Sequence, residues 1–367
     1  MTAPRALITG PEWFGDVLPA CERALGGLGF KVKCFATNRS EWSGRADTWG
    51  GHAGRIPLVG SAARWRVERH CLHRHTHEIN RALKGVLRDW SPEVLLSVLC
   101  WRDPLDVDLV QSPSVNLKLG WLMDDPFERD GSLAALAKAY QRLYVADASW
   151  VESVRLISGR PTRELTCGAD LEAYRPLLTE SVSAAMRCGI AFVGTSYAGQ
   201  PAGTLRRRLL AAVADLDLAV WGDAGWRDSA PELAARYRGG PLGGGQTNCA
   251  YNAASAVINI HHPQFRLGTS LRTFAIAAAG AFQLVDARPG LERFFIPGEE
   301  IATYSTAEEL REKALFYLAN DSLRARIARA GRERVCREHT YTDRLAEMLM
   351  DAGLTPPKLR VREGLRA

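Results

Sequence analysis

Twice along this chain a short apolar run gives way to a glycine-bearing turn, then to a stretch with helical spacing, then to another apolar run. In the first half, residues 6–9 read as a strand, 10–16 as a turn, 17–28 as a helix ended by Gly29, and 31–35 as a second strand. A β-α-β unit of this kind commits the chain to a parallel sheet, because parallel neighbours need a crossover and the crossover helices cover the sheet faces. The same pattern predicts strands at 94–98, 115–122, 143–146 and 163–167, with a helix over about 132–142. It restarts at 190–193, runs through a helix over 205–213, and continues with strands at 218–221, 256–260 and 282–285. Helices then run to about residue 352, the first opened by Ser305 and Glu308 at capping-box spacing. Two such runs in 367 residues predict an α/β protein of two Rossmann-like domains, residues 1–172 and 173–340, joined through the polar stretch 168–189.

Composition narrows the class. Hydrophobic residues make up 46% and charged residues 24%, which supports packed cores and excludes a disordered chain. The eight cysteines stand singly with no Cys-x-x-Cys pair, so structural zinc is not expected and free thiols in a reducing compartment are. The N-terminus is too poor in apolar residues for a signal peptide, and no apolar run reaches the roughly 18 residues of a membrane span. The expectation is a soluble cytoplasmic protein. A net charge of +6 suits an anionic partner, whether a nucleotide sugar, a nucleic acid or an acidic polymer.

Ligands of open α/β sheets bind at the carboxyl ends of the strands, which selects three loops. In Gly194-Thr195-Ser196 a glycine lets backbone approach a phosphate and hydroxyls add donors; a tight strand–helix turn explains the same residues. The stretch from His261 and His262 to Gly268, Thr269, Ser270 and Arg272 leads into a helix whose Leu271, Phe274, Ala275 and Ala278 form a buried face, closed by Gly280. Thr269 or Ser270 can cap its start, and the positive helix end with Arg272 one turn in can seat a diphosphate. A capped core helix with a solvated arginine is the alternative. Asp124 and Asp125 follow a strand and can act as a base, orient a hydroxyl or cap a helix.

Other patterns carry less. His70, His73 and His77 share a helix face among arginines and read as a solvated basic surface, as Arg206-Arg207-Arg208 does. Asp106-Val107-Asp108 and Asp215-Leu216-Asp217 have the Asp-x-Asp form of some metal sites, but the second precedes its strand, the wrong end for a site. The loop 10–15 lacks the Gly-x-Gly-x-x-Gly spacing of a dinucleotide-binding dehydrogenase.

Several segments together resemble the CgeB/YkvP-like glycosyltransferases, a GT-B group. They are Trp121-Leu122-Met123-Asp124-Asp125-Pro126, Gly168-Ala169-Asp170 with Tyr174-Arg175-Pro176, Phe192-Val193-Gly194-Thr195 and Trp221-Gly222-Asp223-Ala224-Gly225-Trp226. The stretch from Gly268 to Gly280, Asp286 with Pro289-Gly290-Leu291, and Ala328, Gly331-Arg332, His339-Thr340-Tyr341 and Arg344 complete the match over most of the chain. The resemblance implies the GT-B fold: two Rossmann-like domains facing a central cleft, an acceptor domain first and a donor domain second. It implies that residues 341–367 form a C-terminal helix crossing back to the first domain, plus a basic tail.

By the same resemblance the donor is a nucleotide-diphosphate sugar and no metal or other cofactor is obligatory. Gly194, Thr195, Gly268, Thr269, Ser270 and Arg272 would then receive the diphosphate, with Trp221 and Gly222 near base or ribose. Asp124, Asp125, His261 and His262 are the catalytic candidates for activating or positioning an acceptor hydroxyl in hexosyl or pentosyl transfer. One departure stands out. The family often reads Phe-Glu where this chain has Phe274-Ala275, and that glutamate is expected to bind the ribose hydroxyls. A non-catalytic nucleotide-sugar-binding protein of the same fold is therefore a second reading. The basic segment 64–88 and the tail 358–366 open a third, a DNA-base glycosyltransferase of phage type.

Overall fold

The computed structural model describes residues 3–12, 17–42, 60–101, 103–127, 132–228 and 230–359. Part of the first turn (13–16) and the end of the basic tail (360–366) lie outside the described residues. The chain forms two compact units. Residues 1–146, 150–165 and 345–367 make the first, and residues 147–149 and 166–344 the second.

Each unit is built on a six-stranded parallel sheet among the described residues. In the first, β1 (Arg5–Gly10), β2 (Lys31–Ala36), β3 (Val94–Leu99), β4 (Leu117–Leu122), β5 (Arg142–Val145) and β6 (Thr162–Glu164) lie in the order β2-β1-β3-β4-β5-β6. The central strands β1, β3 and β4 are almost wholly buried, as expected of strands covered on both faces. The end of the Tyr341–Asp351 helix belongs to this unit: Tyr144 Oη donates to the Met348 carbonyl at 2.9 Å, and Arg142 and Arg163 pair with Asp351.

In the second unit, β7 (Cys188–Val193), β8 (Leu218–Trp221), β9 (Tyr237–Gly239), β10 (Ala254–Asn259), β11 (Gln283–Asp286) and β12 (Ala302–Tyr304) lie in the order β12-β11-β10-β7-β8-β9. Its core joins Ile190, Phe192, Val220, Ile258 and Leu284 of the sheet to Leu210, Leu310 and Ile327 of the covering helices. From β7 the chain steps outward to β8 and β9, and from β10 outward the other way. The switch point of this sheet therefore lies between the adjacent β7 and β10.

Ten strands fall where the apolar runs place them. The strands β9 and β12 do not show in the sequence, because three-residue edge strands are too short for any periodicity to register. The capping motif shifts by one residue. The helix Ala307–Leu318 is capped by Thr306, whose hydroxyl accepts from the Glu309 N–H at 3.1 Å, while Ser305 N–H donates to the Glu309 carboxylate. Thr306 has the extended backbone that turns its hydroxyl onto the first turn.

Candidate functional site

The switch point is lined by the loops that leave β7 and β10. Gly194 follows β7 and donates to the Trp221 carbonyl at 3.0 Å. Gly222 follows β8 so closely that a Cβ there would lie 2.1 Å from the Gly194 carbonyl oxygen, so no side chain fits. The next residues are fastened by Asp223, which accepts from Ser196 N–H at 2.7 Å, Ser196 Oγ at 2.6 Å and Gly225 N–H at 2.9 Å. Burial works against this carboxylate, yet those hydrogen bonds hold it below the usual carboxylate range.

Two guanidinium groups converge here. Arg206, on the helix Pro201–Ala211 that follows β7, is buried at 3% exposure. It donates to the Thr195 carbonyl at 2.6 Å and to the Ile260 carbonyl at 3.2 Å, tying the β7 loop to the β10 loop. Arg272, in the first turn of the Leu271–Ala278 helix, also reaches the Ile260 carbonyl and Asn259 Oδ1, each at 3.4 Å, and lies close over Gly194. Both cations stand near the Phe192 ring, and Arg206 also packs on Tyr197 at 4.6 Å. Among the described residues neither forms an ion pair within 4 Å. Burial, reinforced by the charge of Arg272, lowers the Arg206 pKa to about 10. Among the described residues Arg206 Nε and the buried hydroxyl of Ser270 have no hydrogen-bond partner.

This revises the surface reading of the three consecutive arginines: Arg207 is half-buried and Arg208 exposed, but Arg206 turns inward. Thr195 is exposed beside it, and Trp221 is buried in the sheet at 4%. Ser270 is the N-cap residue of its helix by backbone, without a side-chain capping bond. Gly280 closes the helix with φ of +72°, a conformation that favours glycine.

The Gly268 N–H points to a residue the sequence reading did not single out. Asp147 is fully buried, and its carboxylate accepts from the N–H groups of Arg266 at 2.8 Å, Leu267 at 3.1 Å and Gly268 at 2.8 Å. Ser149 N–H and Oγ also donate to it. Asp147 follows β5 as Asp124 follows β4, so the strand-end rule would have found it.

His261 is 1% exposed with both ring nitrogens engaged: Nδ1 faces Asp286 Oδ1 at 2.6 Å and Nε2 faces Thr269 Oγ1 at 2.8 Å. Thr269 continues to Thr273 at 2.6 Å, and Asn259 donates to Thr273 at 2.9 Å. Burial opposes the charge of Asp286, but His261 and Arg288 outweigh it and hold the carboxyl well below its ordinary range. His262 is 9% exposed and its ring lies 4.9 Å from that of Tyr197.

Asp124 and Asp125 belong to the first unit, both nearly buried. Asp124 accepts from Trp101 N–H at 3.2 Å, and Asp125 accepts from Phe127 N–H at 2.9 Å. Asp106 caps its own short helix, and Asp215 pairs with Arg311, so both Asp-x-Asp triplets have local structural partners. Among the described residues no group of three His, Cys, Asp or Glu is placed to hold a metal ion, and no helix is long and apolar enough to cross a membrane.

Residues 206–350 match the family model described as glycosyl transferase-like. No curated protein sequence matches the chain. Among solved structures, sucrose-phosphate synthase from Thermosynechococcus elongatus is similar with a TM-score of 0.62 at 17% identity, covering 100% of both chains. Anabaena HepE, solved in complex with UDP and glucose, gives 0.60 at 12% identity over 95% of this chain and 100% of its own. A UDP-forming trehalose-phosphate synthase from Burkholderia xenovorans gives 0.59 at 9% identity, over 95% and 98%. The fold is thus α/β of the GT-B glycosyltransferase type, and the match to the family model lies on the second unit and the last helix.

Proposed function

We propose that this protein is a metal-independent glycosyltransferase that moves a sugar from a nucleotide-diphosphate sugar to an acceptor hydroxyl. One observation carries the reading: two guanidiniums, one buried and one half-buried, meet at the switch point of the second sheet with no carboxylate partner among the described residues. A lone buried cation is costly, and two side by side more so, unless an anion joins them. A diphosphate fits the need, since arginine forks pair with phosphate oxygens, and Arg206 Nε and Ser270 Oγ still have a hydrogen bond to give. In transfer, the bond from the anomeric carbon to the diphosphate oxygen breaks and one to the acceptor oxygen forms. Arg206, Arg272 and the start of the Leu271–Ala278 helix receive the growing negative charge on the leaving group.

Trp221 and Gly222 would flank the nucleoside. Asp124, Asp125 and His262 are the groups proposed to orient the acceptor or take its proton, while His261 is proposed to fix Thr269. HepE, solved with UDP and with UDP-glucose, makes UDP-glucose the first donor to try. The CgeB/YkvP-like group is the finer assignment we favour, on the residues given above.

The test is isothermal titration of the full chain with UDP, UDP-glucose and a panel of other nucleotide sugars. Binding that is weakened in Arg206→Ala and Arg272→Ala supports the proposal; no binding of any diphosphate, or binding by both variants as tight as the parent's, overturns it. Ala275, 4% exposed where the resembled family carries a glutamate, favours a non-catalytic binder as the second reading. Release of nucleotide from a bound donor separates the two.

A further inference from the structure

The helix Gly60–Trp90 in the first unit has no role in the reading above, yet its surface is ordered. Arg66, His70, His73, His77, Arg81, Lys84 and Arg88 follow one another at steps of four, three, four, four, three and four residues. That spacing keeps all seven on one stripe of an α-helix. Every one of them is exposed. Arg69 and Arg74 flank the stripe, whereas the three acids of the helix, Glu68, Glu78 and Asp89, fall outside its register. Among the described residues Arg66, Arg81 and Lys84 form no ion pair, and Arg88 pairs only with its neighbour Asp89. The opposite face, through Cys71, Ile79, Leu83 and Leu87, is buried in the unit.

We infer that this stripe binds the phosphodiester backbone of a nucleic acid strand. It runs about 33 Å, with a cationic or protonatable side chain every 5–6 Å or so. That length exceeds any single small anion; it suits a polymer of evenly repeated negative charge, as a nucleic acid strand is, with one phosphate per ~3.4 Å. Trp65, beside the stripe and about 100° round the helix from Arg66, is 57% exposed with the Arg69 guanidinium 5.1 Å over its ring, an aromatic face at the edge of the basic surface on which a base can stack. A membrane surface is the poorer partner, because the apolar side an interfacial helix would insert is already packed inside the fold.

The inference does not depend on the transferase reading. Its test is fluorescence anisotropy of the full chain with a labelled 20-nucleotide single strand and a 20-base-pair duplex at several salt concentrations. The expected result is binding to one or both, weakened at least tenfold in Arg66→Gln/Arg81→Gln/Lys84→Gln. For single strands the slope of log affinity against log salt should fall by about 2, roughly 0.7 for each cation removed. The double variant Arg227→Gln/Arg337→Gln, exposed cations of the second unit, should bind as the parent does. Equal loss in both variants, no change in the triple variant, or binding of anionic vesicles without oligonucleotide would overturn the inference. Circular dichroism and UDP-glucose titration of the triple variant should match the parent, which separates a failure here from a failure of the donor site.

Discussion

Arg344 donates to His339 Nδ1 at 2.9 Å, and the other ring nitrogen of His339 faces the Phe294 carbonyl at 3.0 Å. Only a neutral imidazole with its proton on Nε2 satisfies both contacts. Burial, and then the charge of Arg344, lower the His339 pKa to about 4. The unfolded chain, with an ordinary histidine near 6.5, binds the proton first. Stability is therefore intact above about pH 6.5 and is lost progressively as pH falls toward 4. Thermal melts across this window should drop more steeply for the parent than for His339→Gln. Parallel curves would refute the assignment.

Arg272→Ala removes one guanidinium from the proposed diphosphate seat without opening the core. We expect UDP or UDP-glucose affinity to fall by about 1.5–3 kcal/mol, on the order of ten- to a hundredfold. Arg206→Ala should cost as much in affinity. It should also lower the melting temperature, since the Thr195 and Ile260 carbonyls lose their shared donor. Titration and melting of the two variants side by side separate these effects.

Gly222→Ala places a methyl group against the Gly194 carbonyl, and the backbone must move to admit it. Overpacking of this kind typically costs about 1–3 kcal/mol. Urea denaturation should show that loss. Donor affinity should fall too, because the Gly194 turn forms one wall of the proposed seat.

Turnover, once a donor and acceptor pair is found, should persist in excess EDTA if arginines alone neutralise the leaving group. A fall to background that returned with magnesium or manganese would reject the metal-independent proposal.

How much of this was legible beforehand differs by level. The sheets were readable because buried parallel strands are nearly continuous apolar runs, as in Val94–Leu99, and the turns between them carry glycine. Edge strands Tyr237–Gly239 and Ala302–Tyr304 were not, being three residues long. Within the candidate site, Gly194 and Arg272 followed from the strand-end rule. Arg206 did not, since three successive arginines look alike until packing shows which one points inward. Likewise His261 looked like a free catalytic group, and only its partners Asp286 and Thr269 show that both nitrogens are in use.

The grip of Asp147 on three successive amides has its own consequence. An Asp147→Ala chain would leave those N–H groups without their acceptor; the buried one, Gly268, alone costs about 1–3 kcal/mol, and amide exchange at residues 266–268 should quicken. More broadly, the protein supplies its own acceptor to the turn ahead of the Leu271–Ala278 helix. Those donors are thereby already taken, and the diphosphate of the proposed reading would meet instead the arginines that pair with no carboxylate among the described residues.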